Sequence, residues 1–329
     1  MMLDTLRTVL AVPGVSGSEQ IIAETLAELV RPYVDDIRTD ALGNLICVKK
    51  GAADGKRVMV CAHMDQIGYV VTDIDKDGFL YVHNVGGFGP QAFLGKVVTF
   101  ANGTQGVVYA KSVKDGAKLG MGDVYIDIGA SSKQEAEEKI SIGDTANVAF
   151  QMVVHGDRVS APTMDDRAAC AVVIELLKAL QPPHHTVIAV FSAQEEVGTR
   201  GAQTAAAAEN PDIGIAVDVT ATGDTPGAEP RMAVKLGAGP AVKIMDRHSI
   251  STPSVRDGLI AAAKAAGVPY QREVLTFGGT DAGAIQRTLG GIPAGTLSIP
   301  CRYVHTPVET VSLRDMEQSA TLLAEYLKA

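Results

Sequence analysis

The feature that most constrains this chain is a double change in the period of its apolar residues. They recur at helical spacing from Leu3 to Leu10 and from Ile21 to Val30, on either side of a Pro13-Gly14 turn and the small polar run Ser16-Gly17-Ser18. Leu45 to Val48 and Val58 to Cys61 then read as strands. From about Gly68 to Arg158 the texture becomes short alternating segments, Phe79 to His83, Val97 to Phe100, Val107 to Ala110, Val124 to Ile128 and Val148 to Val153, with Gly, Asn and Asp turns between them. Beyond Ala161 strands again alternate with helices. One of these helices runs from Asp166 to Leu180 with Val172, Val173, Leu176 and Leu177 on one face. A last helix, from about Ser312 to Leu327, opens with Ser312 and Asp315 in capping-box spacing. The expected fold class is α/β: a mostly parallel mixed sheet sandwiched by helices, built from residues 1–67 plus 159–329, with a small β-barrel domain inserted at 68–158.

Composition narrows the partners. With 329 residues and 46% hydrophobic content the chain can bury a full core without a staple. A formal net charge of -9 and a pI of about 5.3 repel a phosphate backbone or an anionic membrane surface, so neither nucleic acid nor membrane is an expected partner. Cys47, Cys61, Cys170 and Cys301 lie far apart in or beside apolar runs, which reads as buried thiols in a reducing compartment. The opening stretch has no basic start or long apolar core, and no run approaches the roughly 18 to 20 apolar residues of a membrane span. The expected location is the cytoplasm.

Three strands that read as buried end alike. Val58 to Cys61 runs into His63 and Asp65, Val187 to Phe191 into Glu195 and Glu196, and Ile213 to Val217 into Asp218. A fourth, Thr296 to Ile299, leads to His305, while Asp165 and Asp166 precede a helix whose dipole favours carboxylates. Open α/β sheets bind ligands beyond the carboxyl ends of their strands, so these side chains can converge although they are distant in sequence. Singly, each acid reads equally as a cap, and His63 as a satisfied core residue or a ligand. Jointly, imidazoles and carboxylates without thiolates are the donor set of an open, catalytic zinc, cobalt or manganese site.

In order along the chain stand Pro13-Gly14-Val15-Ser16-Gly17, Ala62-His63-Met64-Asp65, Asp165-Asp166-Arg167-Ala168, Glu195-Glu196-Val197-Gly198 with Arg200-Gly201-Ala202, Asp218, Gly279-Thr280-Asp281-Ala282-Gly283 and Tyr303-Val304-His305-Thr306-Pro307-Val308-Glu309. With these motifs the chain resembles, over essentially its whole length, the metallo-aminopeptidases that include the glutamyl and tetrahedral aminopeptidases, within the clan of dinuclear zinc exopeptidases. The resemblance implies two divalent metal ions per subunit, zinc foremost, with cobalt or manganese as alternatives. It also implies that His63 and Asp218 hold one ion, Glu196 and His305 the other, and Asp165 both. Glu195 would be the general base, Asp65 would orient His63, and the Asp165-Asp166 bond would be cis. The implied reaction removes N-terminal residues from peptides with a free N-terminus, a metal-activated hydroxide attacking the first peptide carbonyl. It further implies a homo-oligomer, from dimer to dodecamer, with the barrel at the contacts. Neighbours on an extended strand point to opposite sides, so Glu195 and Glu196 are expected to divide the roles of base and ligand. Asp65, two residues after His63, is placed to accept the imidazole's other N–H. The Gly278 to Gly283 loop reads either as a wall of the substrate pocket or as an ordinary turn.

Other signals weigh less. Asp73-x-Asp75-x-Asp77-Gly78 copies half a calcium loop, but Asn84 stands at position twelve, so a hairpin turn is expected. His184 and His185 read as facing solvent between a helix and a strand, and Gly237-x-Gly239 as half a dinucleotide fingerprint without its helix. A deacylase or dipeptidase of the same clan, a glycosidase using Glu195 and Asp218, and a metal-stabilised assembly protein are the competing functions.

Overall fold

The computed structural model describes residues 1–112, 118–180 and 183–328. Two helices, α1 (Met2–Leu10) and α2 (Gln20–Val30), precede β1 (Asp36–Thr39), β2 (Leu45–Lys49) and β3 (Arg57–His63). There follow β4 (Gly68–Ile74), β5 (Leu80–Val85), β6 (Val97–Phe100), β7 (Gln105–Ala110), β8 (Val124–Asp127), α3 (Lys133–Glu137) and β9 (Thr145–Val148). Next come β10 (Val153–His155), β11 (Arg158–Ala161), α4 (Met164–Ala179), β12 (Thr186–Ser192), α5 (Arg200–Glu209) and β13 (Ile213–Ala221). The chain ends with β14 (Ala241–Met245), α6 (Pro253–Ala265), β15 (Gln271–Val274), α7 (Asp281–Gln286), β16 (Ala294–Arg302), β17 (Glu309–Ser312) and α8 (Leu313–Tyr326).

The large sheet has 11 strands in the order β1-β2-β12-β3-β13-β16-β17-β11-β10, with β14 and β15 branching from β16. Its centre, β12-β3-β13-β16, is parallel, while β1, β2, β17, β11 and β10 pair antiparallel at the flanks. Alternation along the central strands feeds two cores. Val58, Val60, Ala62, Val187, Ala189 and Phe191 pack on one face with α1, α2, α4, α6 and α8, and Met59, Cys61, Ile188 and Val190 on the other with α5 and α7. Helix α4 departs from a one-faced reading: every residue from Met164 to Leu177 is buried, because α1 and α8 cover the side turned away from the sheet.

Strands β4-β5-β8-β7-β6-β9 close a barrel with its own core of Tyr69, Val82, Val98, Phe100, Val108 and Ile126. The half calcium motif is the β4–β5 hairpin turn, closed by bonds between Asp75 and both Gly78 and Phe79. The run Val148 to Val153 is not one strand. Its first residue ends β9 of the barrel, and its last residue starts β10, the outermost strand of the large sheet, so the sheet reclaims the chain before residue 158. His185 also departs from the sequence reading: it is 8% exposed, and its Nδ1 accepts the Lys56 backbone N–H. Among the described residues no helix is long and apolar enough to cross a membrane.

Candidate active site

Parallel pairing aligns the ends of the central strands. Ser192 of β12 lies opposite His63 of β3. Asp218 belongs to β13 itself and does not follow it, because that strand continues to Ala221 beside β16. Beyond these ends opens a cavity of about 620 Å³ lined by His63, Asp165, Glu195, Glu196, Asp218 and His305. Asp65 lies behind it, fully buried.

Asp165 is the centre of the arrangement. One carboxylate oxygen is 2.9 Å from His63 Nε2 and the other 3.3 Å from His305 Nε2, which is itself 3.3 Å from Glu196. Ring tautomers are fixed from outside. The His63 Nδ1–H donates to the Asp65 backbone oxygen at 3.1 Å, closer than the Asp65 carboxylate at 3.4 Å, and the His305 Nδ1–H donates to Gly87 of the barrel at 2.5 Å. Both Nε2 atoms therefore face the cavity. The Asp165-Asp166 bond is cis.

Glu195 and Glu196 do not sit on a strand, as sequence alternation suggested. β12 ends at Ser192, and Gln194 turns the chain with φ 57°, so both glutamates lie in the following turn and both line the cavity. The Asp65 carboxylate holds that turn, accepting the backbone N–H of Glu195 at 2.9 Å and of Glu196 at 3.2 Å, besides the Ser16 hydroxyl at 2.6 Å. Gly86 (φ 81°) completes the fit, since a Cβ there would stand 3.3 Å from Glu196 Oε2. Left-handed backbone also recurs at Thr163, Thr199, Tyr303 and His305, beside the same side chains.

The acids are crowded. Burial, then mutual repulsion, raises the pKa values of Glu195, Glu196, Asp166 and Asp218. For Asp165 burial acts the same way but is outweighed by His305 and His63, which hold its carboxyl below the usual range. Burial opposes a charge on His63, yet Asp165 and Asp65 raise its pKa well above that of free imidazole. A cluster that draws protons onto its imidazoles is one that a divalent cation satisfies better, provided the imidazoles are then neutral. Donor atoms of His63, Asp166 and Asp218, and of His63, Asp165 and Glu196, lie within 4.8 Å of one another in each set, and Asp166 Oδ1 and Glu196 Oε1 are buried without a hydrogen-bond partner. The residues fit a divalent cation, and the two sets share His63.

Several functional side chains escaped the sequence reading. Lys243, 1% exposed, lines the cavity from β14 with Glu273 at 3.1 Å and Asp246 at 3.6 Å. Arg167 and Glu309 are buried behind Asp165. Gly278 and Gly279 do form part of the cavity wall, with Leu275 and Phe277. Asp281 instead turns inward, accepting hydrogen bonds from Ser192 and Cys61. The glycines of Gly237-x-Gly239 donate their N–H groups to the Asp315 carboxylate, so that motif ties a loop to α8.

Comparison with known proteins agrees in sequence and in shape. A family model described as M42 glutamyl aminopeptidase matches residues 43–322. A protein of Acetivibrio thermocellus that carries a provisional aminopeptidase name is 48% identical over 99% of this chain and 98% of its own. An aminopeptidase from the archaeon Desulfurococcus kamchatkensis superposes with a TM-score of 0.95 at 35% identity, covering 99% of this chain and 94% of that one. The Pyrococcus horikoshii TET1 peptidase, described as assembling into a tetrahedron or a large octahedral shell, matches with a TM-score of 0.90 at 32% identity over 99% of each chain.

Proposed function

This chain belongs to the M42 glutamyl aminopeptidase family, and from that premise we propose that it is a dinuclear metal-dependent aminopeptidase that hydrolyses N-terminal residues from peptides. The observation that carries the reading is Asp165, which offers one oxygen to the side of His63 and the other to the side of His305. His63 and Asp218 would hold one ion, Glu196 and His305 the second, with Asp165 shared. When bound, the ions supply Lewis acidity, polarising a peptide carbonyl and lowering the pKa of water toward neutrality. Glu195 lines the same cavity, takes the proton from the attacking water and passes it to the leaving amine. Asp65 holds Glu195 and Glu196 by their backbone while fixing the His63 ring. The acidic lining favours a substrate whose amine is free and charged.

The proposed division of labour places catalysis on the large-sheet domain, residues 1–67 plus the chain from β10 onward, and self-association on the barrel, β4 to β9, whose outer face carries Val97, Val107 and Tyr109 at 43%, 44% and 57% exposure. Its loop also supports His305 through Gly87. The free, buried cysteines fit a reducing cytoplasm.

The test is Glu195→Gln assayed on aminoacyl chromogenic substrates. Turnover should fall by about 10² to 10⁴ while the metal content stays that of the wild type. Full activity in the variant, or wild-type activity surviving exhaustive chelation, would sink the reading. N-acetylated peptides should resist cleavage, and their hydrolysis at the rate of free peptides would point to a deacylase.

A further inference from the structure

Glu309 has no ion-pair partner among the described residues, is 1% exposed, and lies where two site-bearing loops meet. It opens β17 and is paired across the sheet with Ala161, the last residue of β11, from which the chain runs to Asp165. On its other side β17 pairs with β16, and the connection between them carries His305. The Glu309 carboxylate spans both: one oxygen accepts the backbone N–H of His305 at 2.6 Å and the other that of Asp165 at 3.0 Å. These loops turn through left-handed residues with side chains, Thr163 (φ 65°), Tyr303 (φ 62°) and His305 (φ 61°), a conformation that persists only where the surroundings impose it.

We propose that Glu309 is a positioning residue that sets the distance between Asp165 and His305, and so the site of the second ion, by accepting one N–H from each loop. The inference rests on the two-ion reading given above. Two oxygens at the reach of a glutamate do the task. Gln presents one acceptor and turns an NH₂ donor toward the remaining N–H, and Asp is one methylene too short to reach both loops. The second acceptor oxygen and the span are thus separable by substitution.

Equilibrium dialysis with Zn²⁺, and titration of apo protein with Co²⁺ followed by its visible absorption, read the site without turnover. Wild type should take up two ions per chain. Glu309→Gln and Glu309→Asp should both keep the tighter ion, bind the other about 10- to 100-fold more weakly and show an altered Co²⁺ spectrum. Circular dichroism in parallel shows that the sheet and helices persist, and the Asp variant, which retains the carboxyl group, serves where Gln lowers the folded yield. Two ions held at wild-type affinity by both variants would overturn the inference alone. Loss in Gln with wild-type binding in Asp would also overturn it, since the chemistry of the group and not its span would then be at work. A wild type that binds fewer than two ions overturns the two-ion reading, and this inference with it.

Discussion

Replacing Arg167 by Lys tests whether a side chain that touches no substrate holds the site in place. Arg167 is fully buried, and its guanidinium donates to the Met64 oxygen at 2.9 Å, the Val9 and Val12 oxygens at 2.6 and 2.9 Å, and the Gln66 side chain at 3.1 Å. It thus clamps the segment around His63 and Asp65 to the end of α1. Gly14 is required beside it, because a Cβ there would come within 2.7 Å of Arg167 Nη2. A lysine ammonium has three donors at a single point and cannot reproduce the fork, so at best two of the bonds survive. Two buried acceptors left unpaired at about 1 to 3 kcal/mol each give an expected loss of about 3 kcal/mol. Urea unfolding followed by far-UV circular dichroism, with divalent metal in excess, measures it. Arg256→Lys is the control, since its partner Asp257 is 62% exposed and little change is expected there. If Arg167→Lys lies within about 1 kcal/mol of that control, the clamp argument is wrong.

Other outcomes follow from the same coordinates. Burial works against the Asp224 carboxylate, but its bidentate pair with Arg302 wins and holds the folded-state pKa down to about 2, below the usual carboxylate range. The pair's contribution is therefore complete above the unfolded pKa and is lost as pH falls through the folded one. Asp224→Asn should cost about 2 kcal/mol at pH 7 and about half that at pH 3, and a cost independent of pH would contradict this. Chelation should lower the melting temperature and added zinc, cobalt or manganese restore it, by about 2.7 kcal/mol per ion at a hundredfold excess over Kd, whereas an unchanged melt would speak against a built site. Burial pushes the Cys47 thiol up to about 12, and all four cysteines are free and buried, so Ellman's reagent should find none in the native protein and four after denaturation. Rapid reaction of even one native thiol would refute that burial.

The parts of the fold that were legible are those in which one face is wet and the other dry. Helices α1 and α8 and the barrel strands show a clean period because polar residues mark their outer side. Strands β14, β15 and β17 did not register, since Lys243, Glu273 and Glu309 point inward and charged residues in short runs read as surface. The site residues could be collected from sequence because parallel strands deliver their carboxyl ends to one edge. Their local geometry could not. Nothing in Gln194 announces a left-handed turn, as Gly or Asn would, so the two glutamates looked like strand neighbours. Hydrogen bonds between segments more than a hundred residues apart, such as Asp65 to Glu195 or Glu309 to Asp165, leave no periodic trace.

These distant bonds share one design. Asp65 accepts the N–H groups of Glu195 and Glu196, Glu309 those of Asp165 and His305, and Glu19, 4% exposed, those of Gly17 and Gln194. Each is a buried carboxyl group that accepts backbone N–H groups and, among the described residues, pairs with no lysine or arginine. Arg167, the nearby guanidinium, directs its donors to carbonyl oxygens and to Gln66, and the Lys243 charge is taken up by Glu273 and Asp246. N–H dipoles fix geometry without adding net positive charge. The charge on Asp165, Glu196 and Asp218 is therefore balanced chiefly by protons, on His63, His305 and the buried carboxyls themselves, and protons are what a multivalent cation can displace. Had lysines or arginines braced these turns instead, the same shape would have been bought with the charge that draws the ions in.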